Sequence, residues 1–138
     1  MPSFAVVDTS AIIAAANESD PDHSRCLRAL GQPGWAYVYP VMVVAEACYM
    51  IDRDRGPGAE ARFLRAIATL AIEPPRPAEW ARMAELVEQY GDMRIGGTDA
   101  SIVALAERLG AETIVTLNTR HFLAIRPLHC EAFRVVPE

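Results

Sequence analysis

Phe4-Ala5-Val6-Val7-Asp8-Thr9-Ser10-Ala11 is the stretch that decides the fold of this chain. Its four apolar residues, two of them β-branched, are typical of a short strand that is buried on both faces of a parallel sheet. The three polar residues that follow favour a helix start, so the chain is predicted to turn from this strand directly into a helix. Asp8 therefore ends a buried strand, and ligands of parallel α/β sheets bind beyond such strand ends.

Strands and helices alternate along the rest of the chain. Short apolar stretches predict further strands, at 35–39, 70–72, 113–116 and 133–136. Helical patterns lie between them, at 11–16, 23–30, 40–54, 59–68, 78–90 and 99–109, with one helical turn at 118–122. This alternation predicts βαβ units with right-handed crossovers. We therefore expect an α/β fold with a mostly parallel central sheet of about five short strands, flanked by helices.

Length and composition limit the chemistry. The 138 residues are enough for one domain, which we expect to span residues 1–138. All 13 basic residues are arginine, and the absence of lysine excludes a P-loop NTPase and Schiff-base catalysis by lysine. The net charge of −5 argues against binding nucleic acid by bulk charge. It leaves open a local acidic site that binds a divalent metal and acts on phosphate.

Cysteine usage and hydropathy bear on the compartment. The three cysteines are far apart and form no C-x-x-C pair, so neither a zinc site nor a disulfide framework is predicted. No apolar run approaches the ~18 residues of a membrane span, and the stretch before Asp8 is too short for a signal peptide. We expect a cytoplasmic protein that does not enter the membrane.

Three carboxylates and one amide have unusually apolar surroundings. Asp8 ends the first strand, Glu46 is the only charge in the apolar stretch 41–51, Asp99 lies on the apolar side of a helix, and Asn118 follows the fourth strand. A carboxylate on an apolar face must be protonated, paired or bound to a cation. If the three carboxylates converge, Mg²⁺ or Mn²⁺ is the expected partner, because it prefers oxygen ligands. Such a metal can activate water and stabilise charge on a phosphodiester.

Each of these residues also has a structural interpretation. Asp8 is a natural helix cap, and Asp99 is a natural first-turn acid that the helix dipole favours. Glu46 could pair with an arginine inside the fold. Asn118 is a natural N-cap of the turn before His121, and His121 itself is interpreted as a packed or capping residue. That all four positions occur together favours a shared site over four unrelated roles.

Four segments, at 6–11, 44–46, 95–100 and 116–122, resemble the PIN-domain ribonucleases and most closely the VapC toxins of bacterial type II toxin–antitoxin pairs. The motifs are short, but their order and spacing are fairly specific and cover essentially the whole chain. The resemblance implies a PIN-like three-layer α/β fold. It also implies a Mg²⁺- or Mn²⁺-dependent endoribonuclease, a hydrolase that acts on the phosphodiester bonds of RNA.

The resemblance also implies roles for individual residues. By position, Asp8, Glu46 and Asp99 match the family's catalytic acids and metal ligands, with Asp8 and Asp99 the most direct ligands and Glu46 holding water or a second ion. Asn118 completes the catalytic set, at a position where many members carry a fourth aspartate. Because an amide brings no charge, this site is expected to bind metal less tightly. Three hydroxyl residues are expected to orient the carboxylates: Thr9, Ser10 and Thr116.

The resemblance further implies partners. Family members are usually homodimers and are held inactive by a small VapB-like antitoxin; the substrate is RNA, with transfer RNA and ribosomal RNA as candidates. Two alternatives stay open. One is a PIN-like module, weakened by Asn118, that binds RNA or a partner protein without cleaving. The other, more remote, is a phosphate-handling enzyme on a similar scaffold, against which the absence of lysine weighs.

Overall fold

The computed structural model describes residues 3–138 as a layered arrangement of five strands and six α-helices. The strands are β1 (Ser3–Val7), β2 (Trp35–Pro40), β3 (Ala71–Glu73), β4 (Thr113–Val115) and β5 (Arg134–Val136). The helices are α1 (Thr9–Ala16), α2 (His23–Ala29), α3 (Val41–Ile67), α4 (Glu79–Gln89), α5 (Gly97–Leu109) and α6 (Thr119–Ala124), with a 3₁₀ turn at Gly91–Met93. In this range, no helix combines the length and the apolar character that crossing a bilayer requires.

All five strands form one parallel sheet in the order β3-β2-β1-β4-β5, which confirms the predicted α/β fold. The chain adds β2 and β3 on one side of β1, and β4 and β5 on the other. The strand order therefore reverses between β1 and β4, and the carboxyl ends of these two strands lie side by side. The backbone N–H of Asp8 donates to the carbonyl of Val115 at 2.9 Å, which joins the two strand ends.

The two central strands and α5 form the middle of the core. Val6, Val7, Ile114 and Val115 have no exposed surface. In α5, the seven consecutive residues 100–106 are buried. Because each residue turns a helix by about 100°, seven in a row point in all directions, so α5 is enclosed on every side. Asp99 immediately precedes this enclosed segment, which fixes the position of its backbone.

Helix α3 differs from the prediction. The sequence predicted two helices separated by residues 55–58, whereas the structure joins them end to end at a kink. Gly56 is the residue that leaves helical geometry, with φ of 84° and ψ of 176°. Pro57 then begins the second half, where a proline is tolerated because its missing N–H has no partner in a first turn. Helix α5 also begins earlier than predicted, since its N-cap is Gly96.

Gly56→Ala is expected to destabilise the protein by about 1–3 kcal/mol, because a Cβ disfavours the backbone conformation at this position. Gly58→Ala is the matched control, since a Cβ there meets only the end of the Arg62 side chain, at 3.7 Å. The control should leave stability unchanged or raise it by up to about 1 kcal/mol. Urea unfolding measures both. Equal stability of the two variants would show that the kink does not require glycine.

Candidate active site

Asp8 lies at the carboxyl end of β1 and is 5% exposed. It is the N-cap of α1, and its Oδ1 accepts a hydrogen bond from the backbone N–H of Thr9 at 2.7 Å. Its Oδ2 accepts hydrogen bonds from two hydroxyls, Thr116 Oγ1 at 2.6 Å and Ser10 Oγ at 3.1 Å. The capping hydrogen bond therefore uses Oδ1. Two hydroxyls, one from the first turn of α1 and one from the residue after β4, fix Oδ2.

The two hydroxyls are themselves held by the main chain that follows β4. Ser10 Oγ accepts the N–H of Leu117 at 2.9 Å, and Thr116 Oγ1 accepts the N–H of Asn118 at 2.9 Å. Each hydroxyl can then donate its single hydrogen to Asp8. The orientation of the carboxylate is thus set by two backbone N–H groups, each acting through one hydroxyl.

Thr9 contributes to the site through its backbone. Its N–H is one of the three donors to Asp8. Its hydroxyl oxygen is buried and makes no hydrogen bond within residues 3–138. Of the three hydroxyl residues expected to orient carboxylates, only Ser10 and Thr116 place their hydroxyls on Asp8.

Asp99 lies half-buried in the first turn of α5. The backbone of Gly96, the N-cap, donates a hydrogen bond to its carboxyl group, an arrangement typical of helix starts. Burial raises the pKa of Asp99 to about 6, and the charges of Asp8 and Glu46 add to the rise. The hydrogen bond from Gly96 and the charge of His121 act in the opposite direction. The first-turn interpretation of Asp99 therefore holds, but it does not account for the raised pKa.

Asp8 belongs to the same electrostatic group. Burial raises its pKa, the charge of Glu46 adds to this, and its three hydrogen bonds oppose it. In the described part of the chain, Asp8, Glu46 and Asp99 form no ion pair. The structure thus brings the three predicted carboxylates within electrostatic reach of one another without a basic partner, which favours a bound cation.

Glu46 corrects one expectation from the sequence. Its side chain is exposed on α3 and forms no ion pair in residues 3–138, so the alternative interpretation, a pair with an arginine inside the fold, is wrong. The stretch 41–51 is apolar without being enclosed, since Val41 is 39% and Tyr49 is 67% exposed. Glu46 therefore remains hydrated, while its charge still raises the pKa of Asp8 and of Asp99.

The carboxylates of Asp8, Glu46 and Asp99 are chemically suited to a hard divalent cation, but they are not arranged closely around a single position. Within residues 3–138, no three His, Cys, Asp or Glu side chains are grouped tightly enough to hold a metal ion. The groups nearest to this requirement are oxygen donors, which Mg²⁺ and Mn²⁺ prefer. A metal at this site would require the carboxylates to move closer together, and their mutual repulsion opposes that movement until a cation is bound.

Asn118 occupies the N-cap position of α6, but its side chain does not cap the helix. Its Nδ2 lies 2.7 Å from Nδ1 of His121, and because an amide nitrogen can only donate, Nδ1 accepts this hydrogen bond. His121 in turn acts on the pKa of Asp99. From the sequence, His121 was expected to be only a packed or capping residue. The available signal was its spacing of three residues from Asn118, which puts both side chains on one face of a helical turn.

The raised pKa of Asp99 predicts how stability depends on pH when no divalent metal is present. The folded protein binds this proton more tightly than the unfolded chain, whose aspartates titrate near 3.8. This contribution is fully present below about pH 4 and is lost as the pH rises through about 6. Asp99→Asn removes it and keeps a hydrogen-bond acceptor for Gly96.

With chelator present, Asp99→Asn should therefore be more stable than the wild type at pH 7.5, by on the order of 1–2 kcal/mol, since solvent weakens the effect at a half-buried group. The two proteins should converge near pH 4. Chemical unfolding across this range is the measurement. A difference that does not change with pH would mean that Asp99 titrates normally.

The chain is similar to known proteins in both sequence and structure. Residues 5–126 match the model of the PIN domain family. The chain is 38% identical over 134 residues to Ribonuclease VapC26 of Mycobacterium tuberculosis, which covers 96% of this chain and 99% of that protein. Both matches span the segments that carry Asp8, Glu46, Asp99 and Asn118.

Several solved structures share the fold. Mycobacterium tuberculosis VapC20, described as a toxin that cleaves the sarcin–ricin loop, has a TM-score of 0.75 and 19% identity, covering 89% of this chain and 99% of that one. VapBC2 of Rickettsia felis, bound to a promoter DNA fragment, has a TM-score of 0.70 and 19% identity, covering 96% and 98%. DNA-bound VapBC of Salmonella typhimurium has a TM-score of 0.68 and 19% identity, covering 98% and 97%.

At these identities the solved structures establish the fold alone. The match to the family model and the 38% identical relative extend over nearly the whole chain and establish the family. The chain belongs to the PIN-domain family and, within it, to the VapC ribonucleases.

Proposed function

We propose that this chain is a Mg²⁺- or Mn²⁺-dependent endoribonuclease toxin that hydrolyses RNA phosphodiester bonds. The observation that carries the proposal is the grouping of the buried Asp8, which three hydrogen bonds hold in place, with Glu46 and Asp99: the charges of the three carboxylates act on one another, and none of them forms an ion pair in residues 3–138. Perturbed carboxylates that act on one another without a basic partner are typical of cation-binding catalytic sites. The position of Asp8 beside the reversal of strand order supports the same assignment.

Asp8 and Asp99 would hold the metal most directly, and the exposed Glu46 would hold its water or a second ion. When bound, the metal supplies activation of water and stabilisation of charge on the phosphodiester. The orientation of Asp8 is already set, because Thr9, Ser10 and Thr116 fix its two oxygens. A site held in this way loses less conformational entropy when the ion binds.

Asn118 is proposed to complete the catalytic set as a neutral member. Its amide contacts His121, which acts on Asp99, so a change of charge at position 118 would be felt by the acids. Because this position adds no negative charge, the site relies on three acids to attract the metal. We therefore propose weaker metal binding than a fourth carboxylate would give.

A VapB-like antitoxin and a second copy of the chain are the proposed protein partners. Solved relatives include a toxin–antitoxin complex from Klebsiella pneumoniae, with a TM-score of 0.66 and 22% identity, as well as the two VapBC assemblies described above. The electrostatics of the site support a basic contact from the antitoxin, since the three acids form no ion pair in residues 3–138. We propose that an arginine or lysine of the antitoxin approaches Asp8 or Asp99 and competes with the metal.

Cleavage is expected to depend on a divalent metal and on the three acids. Purified protein should cut total RNA with Mg²⁺ or Mn²⁺, stop with chelator, and resume when the metal is restored in excess. Asp99→Asn should reduce the rate roughly 100-fold or more, because it removes a charged metal ligand. Glu46→Gln should reduce it less, with unchanged or higher thermal stability, since its side chain is exposed and its charge repels the other acids.

Mapping the new RNA ends before and after chelation is the measurement for these variants. Activity that survives thorough chelation would exclude the metal-dependent mechanism. RNA binding without cleavage under every metal condition would instead support the alternative of a weakened PIN-like module. That alternative is favoured by the loose grouping of carboxylates within residues 3–138.

Asn118→Asp is expected to lower the Mg²⁺ concentration needed for half-maximal cleavage by roughly 3- to 10-fold, because a fourth carboxylate strengthens metal binding. The metal-free variant should be slightly less stable than the wild type, since another negative charge joins the group.

Asn118→Ala is the matched control, because it removes the contact with His121 and changes no charge. It should reduce activity less than Asp99→Asn. A metal titration of cleavage with all four proteins checks this order. An unchanged metal requirement in Asn118→Asp, together with only a loss of stability in Asn118→Ala, would place Asn118 outside the site.

A further inference from the structure

A cleft of about 420 Å³ lies between α2 and one face of the sheet. Arg25 and Arg28 of α2 and Arg134 of β5 line it together with the aromatic rings of Trp35 and Tyr37 from β2. The sheet residues in its wall are alternate residues of their strands and partners across paired strands, such as Thr113 with Arg134 and Val115 with Val136, as expected when their side chains face the same way. None of the three arginines and two aromatic residues belongs to the acidic site.

A second cleft of about 440 Å³ adjoins the first, and the two share Arg25 and Arg134. It extends to Leu117 and Thr119, which flank Asn118 in sequence. The two clefts therefore form one groove, which runs from Trp35 past the arginines to the segment that carries Asn118. A groove that continues through two adjoining clefts suits a polymer better than a small compact ligand.

The charges in the groove are only partly neutralised. Arg28 is exposed and has no ion pair among residues 3–138. Arg134 is exposed and contacts Glu138 at 3.7 Å, while Arg25 pairs with Asp22 at 2.7 Å. Arg28 therefore keeps its N–H donors for an incoming anion. Arg134 also keeps N–H donors, because its contact with Glu138 is long.

The aromatic wall is held in place by α2. The hydroxyl of Tyr37 donates to the carbonyl of Ala29 at 2.7 Å and accepts the N–H of Gln32 at 3.0 Å. Trp35, two residues earlier on the same strand, is half-buried and keeps part of its surface open to the groove. A fixed aromatic face beside arginines is the combination that binds single-stranded nucleic acid, through stacking of bases and neutralisation of phosphates.

We propose that this groove binds an unpaired segment of the RNA substrate and directs it toward the candidate active site. The inference rests on the proposed ribonuclease function and deepens it by naming where the substrate strand lies. A chain of net charge −5, with three unneutralised acids at its site, repels RNA, so a local basic surface must offset this repulsion. An acidic polypeptide would use the arginines but gains less from the aromatic wall, so RNA is the better match.

The test uses Trp35 as a reporter. The chain has two tryptophans, and Trp80 is 52% exposed on α4, so Trp80→Phe leaves Trp35 as the single tryptophan, which can be excited selectively over the tyrosines. A mixed-sequence single-stranded RNA oligonucleotide is titrated with chelator present, so that binding is measured without cleavage. RNA should quench the fluorescence of Trp35. Arg28→Ala and Arg134→Ala, each made in this background, should weaken binding roughly 3- to 10-fold and lower the salt slope by about 0.7–1.

Arg65→Ala is the matched control, because Arg65 is exposed on α3, forms no ion pair in the described range and lies outside the groove. It should bind RNA like the parent protein. Thermal unfolding checks that every variant folds. Equal RNA binding by Arg28→Ala, Arg134→Ala and Arg65→Ala, in a protein that cleaves RNA with Mg²⁺, would overturn the groove and leave the ribonuclease proposal intact.

The converse result also separates the two proposals. If the protein never cleaves but both groove variants lose RNA binding, the groove is supported and the proposed cleavage fails. Polyglutamate serves as the competing probe. If the two variants weaken its binding more than they weaken RNA binding, the groove fits an acidic protein partner and the RNA proposal is wrong.

Discussion

The burial of Asp8 between the two central strands is the constraint on which the site depends. A carboxylate that is 5% exposed must be compensated by hydrogen bonds, and this chain supplies three of them from α1 and from the end of β4. Two of these bonds are local to α1, but the bond from Thr116 exists only because β1 and β4 are neighbours, at the reversal of strand order. Fold and site are thus two consequences of the same pairing.

Much of this arrangement could be predicted from the sequence, because the deciding signals are local. The apolar run before Asp8 predicts a buried strand, the polar triplet after it predicts a helix start, and parallel strands place their carboxyl ends at one edge. The family resemblance, carried by short motifs in order, is likewise confirmed by the match over residues 5–126. The structure adds that Asp8, Glu46 and Asp99 lie close enough for their charges to interact. The catalytic role of each acid is part of the proposed function.

What the sequence could not predict depends on three-dimensional surroundings. The apolar neighbours of Glu46 suggested burial, but apolar residues on α3 such as Tyr49 are themselves exposed, so the pattern misled. The pKa of Asp99 is raised by burial and by the charges of Asp8 and Glu46, which are distant from it in sequence. His121 gave no signal as a separate residue, because its relevance comes from contact with Asn118 and from its action on Asp99. In each case the sequence does not say which side chains lie next to one another in the folded protein.

The link from the main chain to the hydroxyls bears on how this enzyme can evolve. Asp8 is oriented by N–H groups of residues 117 and 118, acting through Ser10 and Thr116, and every amino acid except proline provides such a group. The side chain at position 118 can therefore change without altering the hydrogen bonds that orient Asp8. Under the proposed function, a substitution there would change the charge near the acids, and with it the affinity for metal, while the main-chain scaffold stays the same. Metal affinity would in this way vary independently of the fold.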